Sequence, residues 1–122
     1  MNRKIITPQD EAKNVTESLI KEYPALNSEL FSVVLKREDL HPYGSHKGRS
    51  IPYMIDTAIS KGHTSFVISS SGNAGIAGAK HLIALSEANK VNKEQEGKEL
   101  HLEIFCGFKV APEKLKTLKE LE

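Results

Sequence analysis

Apolar residues recur along the chain with two periods. Ala12, Val15, Leu19 and Tyr23 keep helical spacing until Pro24 ends the run. Thr7-Pro8-Gln9-Asp10, just ahead, reads as a helix start: Thr7 caps, Pro8 takes the first helical position and Asp10 completes a capping box. The same period predicts a helix through Ile51, Ile55, Ala58 and Ile59 that closes near Lys61-Gly62. Pro52 has no amide to donate, so this helix is expected to begin near Ser50 or to be locally distorted. A third helix is predicted from about Ala74 to Ala88, and a fourth from Pro112 with Leu115, Leu118 and Leu121 on one face. Three stretches read as strands: Phe31 to Leu35 (buried), Phe66 to Ile68, and Leu100 to Cys106. In the last, apolar Leu100, Leu102 and Ile104 alternate with His101 and Glu103. His41-Pro42-Tyr43-Gly44-Ser45 and Ser69-Ser70-Ser71-Gly72-Asn73 have turn composition, and Asn89 to Glu99 reads as a solvated, charged loop.

Helices and strands therefore alternate, which argues for an α/β fold: a three-layer parallel sheet with covering helices. With 122 residues the chain holds one domain at most. A chain of this size can bury about two-thirds of its unfolded surface. Hydrophobic content of 39% and charged content of 27% suit a folded, soluble chain. Lys plus Arg number 17 against 16 Asp plus Glu, so no basic field draws the chain to nucleic acid or an anionic membrane. The apolar runs are too short for a bilayer span, and the N-terminus lacks the apolar core of a secretory signal. Cys106 is the single cysteine, which excludes an internal disulfide and a multi-cysteine zinc site; it suits a small packed side chain better than a nucleophile. The histidines show no metal-ligand spacing, so no metal is expected. These features together describe a cytoplasmic protein.

Two segments hold candidate chemistry. In Gly44-Ser45-His46-Lys47-Gly48-Arg49 a lysine lies between glycines near a predicted helix start, with a second cation close by. Such a setting suits nucleophilic use, because a neutral amine can form a Schiff base or remove a proton. The plain reading of the same residue is a solvated surface lysine. In Phe66-Val67-Ile68-Ser69-Ser70-Ser71-Gly72-Asn73-Ala74-Gly75-Ile76-Ala77-Gly78 a strand runs through a small polar turn straight into a helix. That arrangement aims backbone amides at one point and suits a carboxylate or phosphate. The plain reading is a tight connection capped by Asn73. Gly75 and Gly78 share a helical face, open to close approach by the sheet or by a flat ligand. The glycine spacing fits neither the dinucleotide fingerprint nor the phosphate loop.

Taken together, Leu35-Lys36-Arg37-Glu38-Asp39-Leu40 with Gly44-Ser45-His46-Lys47-Gly48-Arg49, followed by Ser70-Ser71-Gly72-Asn73-Ala74-Gly75, resemble the pyridoxal-phosphate enzymes of fold type II, the tryptophan synthase β-subunit-like group. The resemblance implies pyridoxal 5'-phosphate as cofactor and a small amino acid as substrate. It implies a lyase or synthase that removes the Cα proton, then eliminates or replaces a β-substituent. On this resemblance Lys47 is the Schiff-base lysine and moves the Cα proton, and Asn73 bonds the cofactor's ring oxygen. Ser70, Ser71 and Gly72 hold the substrate carboxylate through backbone amides, while Ser45, His46 and Arg49 support Lys47. The cofactor's ring supplies the electron sink, and the protein orients.

The resemblance also implies a second domain with a phosphate-gripping loop, so the chain reads as the N-terminal part, incomplete relative to the two-domain family fold. Residues 1–40 would be a leading helix and strand, and 41–122 the cofactor-lysine segment with a small α/β unit. Gly48 stands where the family often has aspartate, and Pro52 disturbs the helix that follows. Alone, the chain is expected to bind the cofactor weakly and turn over little substrate, with a complementary chain or a homo-oligomer as partner. The alternative is a truncated, noncatalytic anion-binding or interaction protein.

Overall fold

The computed structural model describes residues 5–26, 29–91 and 99–122. The chain divides into two compact units, one up to His41 and one from Pro42 onward.

In the first unit β1 (Gln9–Glu11) pairs antiparallel with β2 (Val34–Lys36), placing Gln9 opposite Lys36 and Glu11 opposite Val34. Helix α1 (Lys13–Glu22) lies between them in sequence, and a single 3₁₀ turn follows at Glu38–Leu40. The helix expected to start at Thr7-Pro8 thus begins several residues later. Long-range partners explain the shift. The Pro8 carbonyl accepts from the Arg37 amide at 3.0 Å, and the Val33 carbonyl accepts from the Ala12 amide at 2.9 Å. Thr7 is buried and donates its hydroxyl to Glu38 at 2.5 Å, so it caps no helix. Asp10 takes an ion pair with Arg37 at 2.6 Å in place of a capping role. A ladder with a distant strand has overridden a local start signal. The expected strand over Phe31–Leu35 is also corrected: it runs Val34–Lys36, and Val34 and Leu35 are both exposed. Thr16 ties the helix to this ladder. Its buried hydroxyl accepts from the Val33 amide at 2.9 Å and donates to the Ala12 carbonyl at 3.1 Å.

The second unit is α/β. Two of the three expected strands pair in parallel there, as the alternation implied, whereas the first expected strand is the one that pairs antiparallel with β1. The unit comprises α2 (Lys47–Ser60), β3 (Ser65–Ser70), α3 (Asn73–Val91), β4 (His101–Cys106) and α4 (Pro112–Lys119). Strands β3 and β4 pair in parallel, from Ser65 opposite His101 to Ser70 opposite Cys106. Burial alternates along both. Phe66, Ile68, Leu102 and Ile104 form the half-buried face, while Val67 and Phe105 on the other face are exposed.

Helix α3 seats on the half-buried face through its glycines. A Cβ at Gly75 would lie 2.8 Å from Ile104 Cγ2, and one at Gly78 would lie 3.0 Å from Ile68 Cδ1. The shared glycine face thus serves the sheet. Leu118 of α4 reaches the Gly75 position and Ile51 of α2 the Gly78 position, so α3 has α4 on its β4 side and α2 on its β3 side. Ile55, Ile76, Ala77 and Leu82 form the buried apolar core among the described residues.

Two helix limits differ from expectation. Helix α2 starts at Lys47, ahead of Ser50, and takes Pro52 into its second turn. Its first turn is tight: the Gly48 and Arg49 amides reach back only three residues, to Ser45 and His46. Helix α3 runs on to Val91, three residues past the expected end at Ala88. Of the connection expected over 89–99, residues 92–98 lie outside the described residues.

Candidate active site

Lys47 is the first residue of α2 and is half-buried. The path into it is tightly built. Gly44 turns the chain at φ +80°, where a side chain is strained. Ser45 is buried, its Oγ accepts from the Lys47 amide at 3.3 Å, and its carbonyl accepts from Gly48 at 3.0 Å. His46 caps the helix with its backbone alone, and both His46 and Arg49 are exposed.

The serine turn closes β3 and opens α3. Gly72 takes φ +122°, and a Cβ there would lie 2.8 Å from the Lys114 side chain. Ser70 organises the bend from within: its Oγ accepts from the Gly72 amide at 3.0 Å and from the Gly75 amide at 3.4 Å. The Gly72 carbonyl accepts the first helical bond, from Ile76 at 2.9 Å. Asn73 and Ala74 therefore carry the first-turn amides that precede the helical ladder and that Ser70 does not engage. Their N–H groups point out of the helix N-terminus, where an anion is favoured. Gly72, expected to offer its amide, instead spends it on Ser70. Ala74, which the sequence did not single out, offers one.

The helix pair brings the two segments to one end. Ile51 lies beside Gly78, and Asp56 bonds His81, so positions advance in the same direction along α2 and α3. Counting back at about 1.5 Å per residue, Lys47 lies ~6 Å above Ile51 and Asn73 ~7.5 Å above Gly78. The two N-termini thus stand at nearly one level, at the carboxyl ends of the parallel strands, where open α/β sheets bind ligands. Beside the turn is a cleft of about 290 Å³ lined by Ser69, Ser70, Ser71, Gly107, Lys109 and Val110. Sequence reasoning passed over its last three residues because they lie in the loop after β4. Lys47 is not among its lining residues.

The remaining motif residues, Lys36-Arg37-Glu38-Asp39, hold the first unit together. Arg37 clasps Asp10 at 2.6 Å and Asp39 at 2.7 Å, and Lys36 Nζ donates to the Thr7 carbonyl. The hydrogen bond from Arg37 holds the Asp39 carboxyl below the usual carboxylate range. No three His, Cys, Asp or Glu side chains among the described residues are grouped to hold a metal. No helix among them is long and apolar enough to cross a membrane. Cys106, half-buried and free, ends β4 opposite Ser70.

The starts of α2 and α3, one bearing Lys47 and the other the unengaged Asn73 and Ala74 amides, lie toward the carboxyl end of the parallel strands of an α/β unit. The family model described as pyridoxal-phosphate dependent enzyme matches residues 15–83, more than half of the chain. The chain belongs to this family, the pyridoxal-phosphate enzymes of fold type II, whose members bind pyridoxal 5'-phosphate. No curated protein matches it. The donor set fits: the half-buried Lys47 supplies a primary amine for an aldehyde, and the Asn73 and Ala74 amides suit a carboxylate.

Proposed function

We propose that the chain supplies the Schiff-base lysine and the substrate-carboxylate turn of a lyase or synthase. The reaction would remove the Cα proton of a small amino acid and then eliminate or replace its β-substituent. Bound pyridoxal phosphate supplies the electron sink for the Cα carbanion. Lys47 holds the cofactor and moves the Cα proton at its Nζ. The Asn73 side chain donates to the ring oxygen. Ser71 and the Asn73 and Ala74 amides receive the substrate carboxylate, and Ser70, with Gly72, fixes the bend that aims them. Ser45 holds the start of α2, and His46 and Arg49 flank the amine. The chain acts in the cytoplasm, with a complementary chain or a second copy as partner.

The observation that carries this reading is the parallel run of α2 and α3, which sets Lys47 level with the Asn73 turn. Borohydride reduction of the chain mixed with pyridoxal phosphate, followed by peptide mapping, tests it. The reading expects the reduced adduct on Lys47 and its loss in Lys47→Ala. Adducts spread evenly over the exposed lysines would refute it.

A further inference from the structure

Three side chains outside the serine turn form a continuous hydrogen-bonded chain. His81 Nε2 lies 2.6 Å from Asp56 Oδ1, and His81 Nδ1 lies 3.3 Å from the Tyr43 hydroxyl. The His81 side chain is 12% exposed and Asp56 44%, so the imidazole is the enclosed member. A carboxylate only accepts, so Nε2 carries the proton toward Asp56, and in the neutral imidazole Nδ1 then accepts the Tyr43 O–H. The two rings are tilted at 59° with centroids 6.2 Å apart, so the link is through the hydroxyl and not through stacking.

The position of this chain matters more than its composition. Asp56 belongs to α2 and His81 to α3, so their bond ties together the two helices whose starts bear Lys47 and Asn73. Tyr43 belongs to neither. It opens the short segment that climbs through Gly44 and Ser45 to Lys47. His81 lies eight residues along α3 from Asn73, or ~12 Å, so the phenol anchors the segment about two turns below the amine. From that anchor every link is constrained: the left-handed Gly44, the buried Ser45, and its bonds to Lys47 and Gly48.

We propose that Asp56, His81 and Tyr43 form a positioning unit that fixes the Lys47 segment against α3 and so sets where the Lys47 amine stands relative to the Asn73 turn. The inference rests on reading Lys47 as the cofactor lysine. None of the three touches the reacting atoms; they act through the backbone between Tyr43 and Lys47.

Two measurements on the full chain test it: amide hydrogen exchange at residues 44–48, and the rate of borohydride-trapped pyridoxal phosphate addition at Lys47. Tyr43→Phe keeps the ring and removes only the hydroxyl. It should speed exchange and slow trapping by about five- to tenfold each, the effect of one part-buried hydrogen bond. Two His81 variants divide the unit. Asparagine places an acceptor near the Nδ1 position, and glutamine places a donor near Nε2. His81→Asn keeps the acceptor for Tyr43 but loses the Asp56 bond, so it should fall between wild type and Tyr43→Phe at 44–48, whereas His81→Gln should resemble Tyr43→Phe. A side chain that merely filled space would treat the two replacements alike. Unchanged exchange in Tyr43→Phe, or equal behaviour of the two His81 variants, overturns the positioning unit. A wild-type chain that traps nothing at Lys47 refutes the cofactor reading instead; the exchange pattern alone decides the unit.

Discussion

Replacing Gly75 by alanine places a methyl group 2.8 Å from Ile104 Cγ2 and 3.5 Å from Leu118 Cδ2. Carbon atoms pack best at about 3.5–4.0 Å, so the Ile104 contact must open by roughly 0.7 Å. Cγ2 moves only with χ1, which in a β-branched residue is stiff and swings the Cγ1–Cδ1 arm at the same time. Helix α3 must therefore lift from β4, and overpacking of this kind costs about 1–3 kcal/mol. Alanine returns about 1 kcal/mol of helix propensity, which leaves a net loss of ~0–2 kcal/mol. With about 2.1 cal/mol/K of unfolding entropy per residue, each 1 kcal/mol lowers Tm by ~4 °C in a chain of this length. Gly78→Ala is the internal control. Its new methyl meets Ile68 Cδ1 at 3.0 Å and Leu102 Cδ2 at 3.2 Å, both ends of side chains that can rotate. Propensity should then offset the contact, and Tm should stay within ~2 °C of wild type. Thermal melts followed by circular dichroism measure both. The further variant Ile104→Leu, which removes the Cγ2 branch, should absorb most of the Gly75→Ala loss in a double-mutant cycle. Gly78→Ala as damaging as Gly75→Ala, or strict additivity with Ile104→Leu, would refute the seating of α3 on β4 through Gly75.

Ser70→Ala removes the hydroxyl that accepts from Gly72 and Gly75. Chemical denaturation should show a loss of about 1–2 kcal/mol, typical of a lost helix cap, with faster amide exchange at Gly72 and Gly75. Thr16→Val keeps the volume but leaves the Val33 amide without its 2.9 Å acceptor. It should cost about 1–3 kcal/mol in urea unfolding, whereas Thr16→Ser should cost much less. Burial first, and the nearby Asp56 charge second, raise the Tyr43 phenol above its ordinary 10.0. A raised folded-state value means the contribution is complete below pH 10.0 and lost as pH rises through the folded value. Stability measured against pH should thus fall on the alkaline side, and Tyr43→Phe should flatten that fall.

Local rules located elements well where short-range patterning decided them. The alternation at Leu100, Leu102 and Ile104 gave β4 and its half-buried face, and Pro112 gave the start of α4. They failed where a distant partner competed. Thr7, Pro8 and Asp10 satisfy every local requirement of a helix start, yet β2 and the Arg37 side chain claim them. The site divides in the same way. The serine turn was legible as a strand-to-helix connection because small polar residues stand directly between β3 and α3. Lys47, by contrast, took its role from the family resemblance, and its place at the start of α2 was not expected. The division of amides within the turn was not legible, since it depends on where one hydroxyl, Ser70 Oγ, points. Asp56 and His81 carry no sequence signal at all: 25 residues separate them, and only the packing of α2 on α3 makes them partners.

Amide chemical shifts during a pyridoxal phosphate titration, recorded for wild type and Lys47→Ala, address the unity of the site most directly. The account predicts that the amides around Lys47 and those of Asn73 and Ala74 move together, with one dissociation constant, and that both responses vanish in Lys47→Ala. Movement around Lys47 while Asn73 and Ala74 stay still would show that the amine and the serine turn do not share a ligand.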